Sequence, residues 1–163
     1  MTTLTVWKFD TAEGAQETLA KLVPLQKEHI IDIKDAATVS WPEGKKKPKT
    51  KQAINLAGLG ALDGAFWGLL FGLIFFCPIF GIAVGASMGA LGGSMRDYGI
   101  NDDFIKDVKS KVTEGTSALF LFTREATLDK VAEALGGISA ELIQSNLSNE
   151  QEAKLQEHFS PET

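Results

Sequence analysis

The stretches GALDGAFWGLLFG, residues 60–72, and GIAVGASMGALGG, residues 81–93, repeat glycine at every fourth position of two apolar segments. A glycine inside a helix costs about 1 kcal/mol relative to alanine, so ladders this regular indicate compensation by close packing. Residues four apart share one side of a helix, where missing side chains leave a groove that a second backbone can enter. The ladder residues are Gly60, Gly64, Gly68, Gly72, Gly81, Gly85, Gly89 and Gly93. With Pro78 between them, they predict a tightly closed helical hairpin over residues 53–96.

Charge is distributed unevenly around this hairpin. Charged residues make up 23% of the 163 residues, but none lies between Asp63 and Arg96, so the flanks carry the whole net charge of -5. An acidic chain lacks the basic excess that is typical of nucleic-acid binding, and no nucleic-acid partner is expected. The one cationic cluster comes just before the hairpin and comprises Lys45, Lys46, Lys47, Lys49 and Lys51. This position predicts contact between the lysines and a membrane surface.

Few residues of the chain are suited to chemistry. One cysteine, Cys77, and two histidines, His29 and His158, do not provide the ligand spacing of a metal site. Catalysis would need a nucleophile beside a base or paired carboxylates in a dry cleft, and the histidines fall in a helix-to-strand junction and an acidic tail. The aspartates of residues 1–44 are Asp10, Asp32 and Asp35. We expect these at turns or scattered along strands in solvent, and we predict no catalytic residues, no cofactor, no metal and no enzymatic activity.

The N-terminal flank, residues 1–44, reads as strand, helix, strand. Leu4 to Phe9 predicts a strand, and Thr11 is a candidate N-cap for a helix that should end near Pro24. Mostly alternating apolar positions from Ile30 to Trp41 then predict a second strand. Residues 45–52 are lysine-rich and contain a proline, which predicts a linker or an exposed loop.

The C-terminal flank reads as helix, strand, helix, strand, helix. Asn101 or Asp102 can cap a first helix that ends near Lys111, and residues 117–123 form a nearly continuous apolar run typical of a buried central strand. Thr127 is a candidate cap for the next helix, and residues 141–147 predict a further strand. Ser148 and Gln151 have the spacing of a capping box, which predicts a final acidic helix over residues 148–163.

This order predicts an α+β fold. Its core is two split strand-helix-strand units, the ferredoxin-like plan, with the glycine-zipper hairpin inserted between residues 1–44 and residues 97–147. The insertion is inexpensive, because two chain ends that leave a sheet side by side can hold an antiparallel hairpin. The helix over residues 102–111 is extra to the plan and is a candidate lever between hairpin and sheet.

The hairpin can be placed in two settings. Its first helix has the roughly 20 residues that span a bilayer, its second is shorter, and the lysines and Arg96 put both flanks on the cytoplasmic side. An apolar turn at Cys77 and Pro78 argues against full crossing, since its backbone would find few polar neighbours at the far interface. Packing of many copies against one another would bury the same apolar faces in water. The expected locations are the bacterial inner membrane or, alternatively, the cytoplasm.

Two residues of the first hairpin helix stand out. Asp63 falls near the level of Arg96 when both helices are counted from the turn, so an ion pair between them would satisfy the carboxylate. The alternatives are a bond to Ser94 or a role in ion or proton passage. Trp67, beside the ladder, is expected to be a packing residue, although a pore constriction would have the same sequence.

Several segments together resemble a known family. They are residues 97–100 (DYGI), 103–105 (DFI) and 115–120 (GTSALF), with the glycine-rich hairpin and the DAA stretch at residues 35–37. These are similar to the bacterial membrane-protein family designated domain of unknown function 1269, over most of the chain. The resemblance implies a ferredoxin-like body that carries a glycine-zipper hairpin, and it implies no reaction. Glu114, where proline is common, and the acidic C-terminal helix depart from the pattern.

The sequence therefore predicts a non-enzymatic homo-oligomer. In the first hypothesis the protein is membrane-associated, and its hairpins pack into a bundle, plug or pore with the ferredoxin-like domains in the cytoplasm. In the alternative it forms a ring, cage or filament in water and buries the hairpins inside. The expected partners are other copies of the chain and, in the first hypothesis, the lipid bilayer.

Overall fold

A computed structural model describes residues 2–46, 48–52, 64–75, 99–136 and 140–159 of the chain. These residues contain five strands and five helices. The strands are β1 (Thr2–Phe9), β2 (Ile33–Ser40), β3 (Lys49–Gln52), β4 (Ser117–Arg124) and β5 (Glu141–Leu147). The helices are α1 (Gly14–Lys27), α2 (Gly64–Phe75), α3 (Asp102–Lys111), α4 (Glu125–Ala134) and α5 (Asn149–Phe159).

The five strands form one antiparallel sheet in the order β3-β2-β4-β1-β5. The two halves of the chain interleave, because β4 lies between β1 and β2 and β1 lies between β4 and β5. The α+β class predicted from the sequence is confirmed. The ferredoxin-like plan stays a prediction, and the order β5-β1-β4-β2 supports it as the order expected of two interleaved strand-helix-strand units.

Helices cover both faces of the sheet. On one face, α1 and α4 pack over Trp7, Ile33 and Leu121. On the other face, which we call the α2 face, α2, α3 and α5 pack over Val6 and Phe120. The described residues therefore form three layers with two apolar cores, and the central strand β4 contributes alternate residues to both cores.

Local sequence signals explain some helix starts. Asn101 caps α3, since its side chain accepts a hydrogen bond from the Phe104 N–H at 2.9 Å. Ser148 and Gln151 form a capping box, with bonds of 2.8 Å from Ser148 N to Gln151 Oε1 and 3.1 Å from Gln151 N to Ser148 Oγ. Both features were expected from residue spacing alone.

Other boundaries follow tertiary contacts. Thr11 does not cap α1, whose N-cap position is Glu13, because the N–H of Ala15 donates to Ser117 Oγ on β4 at 2.9 Å. The same helix continues past Pro24, in its last turns, to Lys27. Thr127 also does not begin its helix: α4 starts at Glu125, directly after β4, and leaves Thr127 buried.

The segment predicted as a linker, residues 45–52, contains the edge strand β3. Its side chains alternate between exposed Lys49 and Lys51 and half-buried Thr50 and Gln52. The lysine-rich sequence does not predict a strand here, and the backbone hydrogen bonds that form it come from pairing with β2.

Only residues 64–75 of the predicted hairpin lie in the described part of the chain, where they form α2. Its second helix, with the ladder from Gly81 to Gly93, lies outside the described residues. Among the residues that the structure describes, no helix is both long enough and apolar enough to cross a membrane.

Candidate functional site

A buried carboxylate lies between the sheet and α2. The pairing of β2 with β4 shifts register between Ile33 and Asp35, and from there Asp35, Ala37 and Val39 alternate toward the α2 face. The Asp35 side chain is fully buried. The expectation of a solvent-exposed aspartate at this position is wrong, because the inward register of β2 places Asp35 under α2.

Two elements besides β2 donate hydrogen bonds to this carboxylate. The indole N–H of Trp67, on α2, donates to Asp35 Oδ2 at 3.0 Å, and the amide of Gln52, on β3, donates to the same oxygen at 3.1 Å. The backbone N–H of Ala36 donates to Oδ1 at 2.8 Å. Buried charges require such partners, so Asp35 joins α2, β2 and β3 at one point.

Aromatic rings surround the indole of Trp67. Its ring centroid lies 5.7 Å from that of Phe71 in a stacked arrangement, and 6.2 Å and 5.8 Å from those of Phe120 and Phe122 on β4. Phe66 packs edge-on at 5.2 Å. The rings exclude water around the carboxylate, which strengthens its hydrogen bonds. Trp67 is therefore a packing residue, as expected, and also a donor to a buried charge, which the sequence did not indicate.

The glycine ladder lies on a different side of α2. The side that faces the sheet carries Phe66, Trp67, Leu70, Phe71 and Ile74, all at most 2% exposed. At 3.6 residues per turn, the positions of the ladder glycines lie roughly 130° around the helix from the middle of that side. The glycines of the ladder in α2 are Gly64, Gly68 and Gly72.

The remaining predicted site residues are distributed as follows. The members of the predicted lysine cluster that the structure describes are all exposed, and they are Lys45, Lys46, Lys49 and Lys51. The predicted residues outside the described part are Lys47, Gly60, Asp63, Gly81, Gly85, Gly89, Gly93 and Arg96. The proposed pairing of Asp63 with Arg96 therefore stays a prediction.

A groove of about 350 Å³ runs between α3 and β5. We call it the β5 groove, and its wall residues come from the start of α3 and from the strand. They are Gly99, Asn101, Asp103, Phe104, Asp107, Ile143, Gln144, Ser145 and Asn146. Ser145 donates its hydroxyl hydrogen bond to the carbonyl of Gly99, which holds the entry to α3 against the strand. Gly99 has φ +85°, and an added Cβ would lie 3.0 Å from the carbonyl oxygen of Asn146.

An ion pair joins the second strand to the last helix. Lys34 on β2 binds Glu152 on α5, and both side chains are about one-fifth exposed (22% and 20%). Burial opposes ionisation of Glu152, but hydrogen bonds from Lys34 and Thr2 and the positive charge of Lys34 outweigh it, so the pKa of Glu152 lies below its ordinary value.

The described residues contain no group of three or more His, Cys, Asp or Glu side chains arranged to hold a metal ion. Asp35, Gln52 and Trp67 were not assigned together from the sequence. One signal could have identified Asp35: it shares the alternation of Ala37 and Val39, which marks an inward position on β2.

Comparison with known protein families identifies a match over most of the second half of the chain. The model of a family described as "Protein of unknown function (DUF1269)" matches residues 61–160. No curated protein and no solved structure matches the chain significantly.

Proposed function

We propose that this chain, which belongs to the family of proteins of unknown function designated DUF1269, is a non-enzymatic protein that assembles with copies of itself through its glycine ladders. In the arrangement that we favour, each copy keeps α2 on its own sheet and the hairpins are buried within a ring, cage or filament. The family description names no reaction.

The observation that carries this proposal is the separation of two faces on α2. The aromatic side of the helix is fully used within one copy, because Phe66 packs on Phe122 at 5.5 Å and Phe71 packs on Phe120 at 5.0 Å between ring centroids. The ladder positions fall on another side, where the lack of side chains permits close backbone approach. A helix that is docked in this way can present Gly64 and Gly68 to a further helix, whereas Gly72 is buried within the same copy.

Membrane association of such an oligomer is the second candidate. It is favoured by the exposed Lys45, Lys46, Lys49 and Lys51, since clustered cations beside an apolar hairpin can bind anionic lipid. The aromatic side of α2 is packed on the sheet of its own copy, so lipid is not the expected neighbour of that side. The two candidates differ in where the assembled protein is found, and fractionation separates them.

The experiment measures the mass of the full chain without detergent. For the favoured arrangement we expect recovery in the soluble fraction and a mass by light scattering of several times 17.5 kDa, which is a single value for a ring or cage and a distribution for a filament. A monomeric mass would reject self-assembly. Recovery only with membranes, resistant to alkaline carbonate, would reject the favoured arrangement and support the second candidate.

Leucine substitution tests the ladder itself. G64L/G68L adds side chains to the face that should receive a backbone, so the oligomer should dissociate or aggregate. The matched control is A132L/A134L, which adds two leucines to exposed positions of α4 and should leave the mass unchanged. If both variants behaved in the same way, the ladder glycines would have no specific role in the assembly contact.

A further inference from the structure

We propose that the edge strand β3 of one copy pairs with the edge strand β5 of another, so that copies join head to tail through their sheets. The inference extends the proposed self-assembly by a second contact that does not use the glycine ladders. It follows from the charges, spacing and faces of the two sheet edges.

One edge of the sheet is acidic. Within the described residues β5 pairs only with β1, and the β5 groove follows its other side. Asp103 and Asp107 line this groove from α3, and Glu141 is exposed at the start of the strand. Lys111 lies 3.8 Å from Asp107 and 3.9 Å from Glu141 and offsets part of their charge. The wall residues of the groove include two carboxylates and no cation.

The opposite edge is basic. Within the described residues β3 pairs only with β2, and it exposes Lys49 and Lys51 on one face. Two more exposed lysines, Lys45 and Lys46, precede the strand. An edge strand leaves backbone N–H and C=O groups open to pairing with another chain.

The spacing of the charges matches. Lys49 and Lys51 are two residues apart on a strand, which separates them by about 6.6 Å. Asp103 and Asp107 are four residues apart on a helix, which separates them by about 6 Å along its axis. A strand that lies in the β5 groove can therefore set both lysines opposite both aspartates.

Charge also selects this pairing over the two symmetric ones. Pairing of β5 with a second β5 would bring the carboxylates of two copies together, and pairing of β3 with a second β3 would do the same for the lysines. Like charges across an interface are repulsive, whereas β5 with β3 is complementary. A heterologous contact of this type adds copies without closing a dimer.

The faces of the sheet determine the direction of pairing. Thr50 and Gln52 pair with Val39 and Ala37, which lie on the α2 face, so Lys49 and Lys51 are on the α1 side. The aspartates stand on the α2 face of their own copy. The second copy must therefore be rotated by a half-turn about an axis that lies in the sheet, perpendicular to the strands. Because β3 and β5 run in the same direction within one copy, this rotation makes the new pair of β3 and β5 antiparallel. Successive copies are then related by a half-turn and a translation along the sheet.

Charge reversal and charge exchange test the contact in the full chain. Ladder oligomers that pair through their sheet edges should associate further as concentration rises. D103K/D107K and K49E/K51E should each weaken this further association at least about tenfold at low salt. Raised salt should weaken the same association of the unaltered chain. Mixing the two variants should restore association, because each supplies the complement of the other. Unaltered association in either variant, or no restoration in the mixture, would overturn the proposal.

Carbodiimide cross-linking of the unaltered protein is independent of how the variants fold. This reagent joins a lysine to a carboxylate in direct contact, and the two sheet edges of one copy are about 19 Å apart, so a bond between the β3 lysines and Asp103 or Asp107 must join two copies. A mixture of isotopically labelled and unlabelled protein identifies such bonds by mass. K49R/K51R keeps the charge but cannot form the amide, so it should still associate and lose the cross-link. If these cross-linked peptides do not form, the proposal fails.

The two proposals fail differently. Loss of the ladder contact in G64L/G68L leaves edge pairing to be measured by the cross-link. Loss of edge pairing in D103K/D107K leaves a discrete ladder oligomer of fixed mass.

Discussion

Trp67 connects α2 to the buried charge of Asp35. W67F retains most of the ring contacts but removes the donor at 3.0 Å from Asp35 Oδ2. Because hydrogen bonds to charged groups contribute about 1.5–3 kcal/mol, we expect the free energy of unfolding in urea to fall by at least that amount. The matched control is W7F, whose indole donates to the neutral Thr5 hydroxyl at 3.1 Å and should contribute about 0.5–1.5 kcal/mol. Equal losses in the two variants would contradict the assignment.

Glu152 gives the molecule a stability contribution that depends on pH. Its pKa is lowered in the folded state, so the ionised form is stabilised by folding, and this contribution is complete above its ordinary value of 4.5. It is lost as pH falls through the lower, folded pKa. We expect E152Q to be less stable than the unaltered chain by about 1 kcal/mol or less near neutral pH, and the difference to disappear in acid. Urea unfolding at several pH values measures it, and a difference that persisted in acid would point to packing instead.

At the scale of elements, the docking of α2 depends on its aromatic side. F71A removes a ring that is 2% exposed and packs on Phe120, so we expect a loss of about 3–5 kcal/mol in the free energy of unfolding. L73A, at a partly buried position of the same helix, should cost less than half as much. If α2 were detached from the sheet in solution, both changes would have similar small effects.

Local signals in the sequence predicted some elements well. The apolar run of β4 required burial on both faces, and the caps at Asn101 and Ser148 required only their own neighbours. The strand β3 could not be predicted, because its four residues owe their conformation to β2. The docked side of α2 could not be predicted either, since a helix that is apolar all round has no polar side to show which way it faces.

At the scale of the whole molecule, the interleaved sheet predicts a gradient of stability. The strand β4 is hydrogen-bonded on both sides and buried on both faces, whereas β3 has one neighbour among the described strands and alternate exposed residues. In dilute protein, amides of β3 should exchange with solvent at least about 100-fold faster than those of β4, because the edge can open locally. Hydrogen exchange with mass spectrometry measures both. Equal rates would mean that the sheet opens only as a unit.

The same interleaving has a consequence during synthesis. The sheet-facing aromatic side of α2 is made early, but Phe120 and Phe122, which cover it, belong to β4. At usual rates of translation, the roughly 50 residues from the end of α2 to the end of β4 take about 2–10 s to emerge from the ribosome. During those seconds the aromatic side of α2 is exposed in the nascent chain, because the strand that covers it has not yet been made. A chaperone or the membrane-insertion machinery can therefore bind α2 before the sheet does.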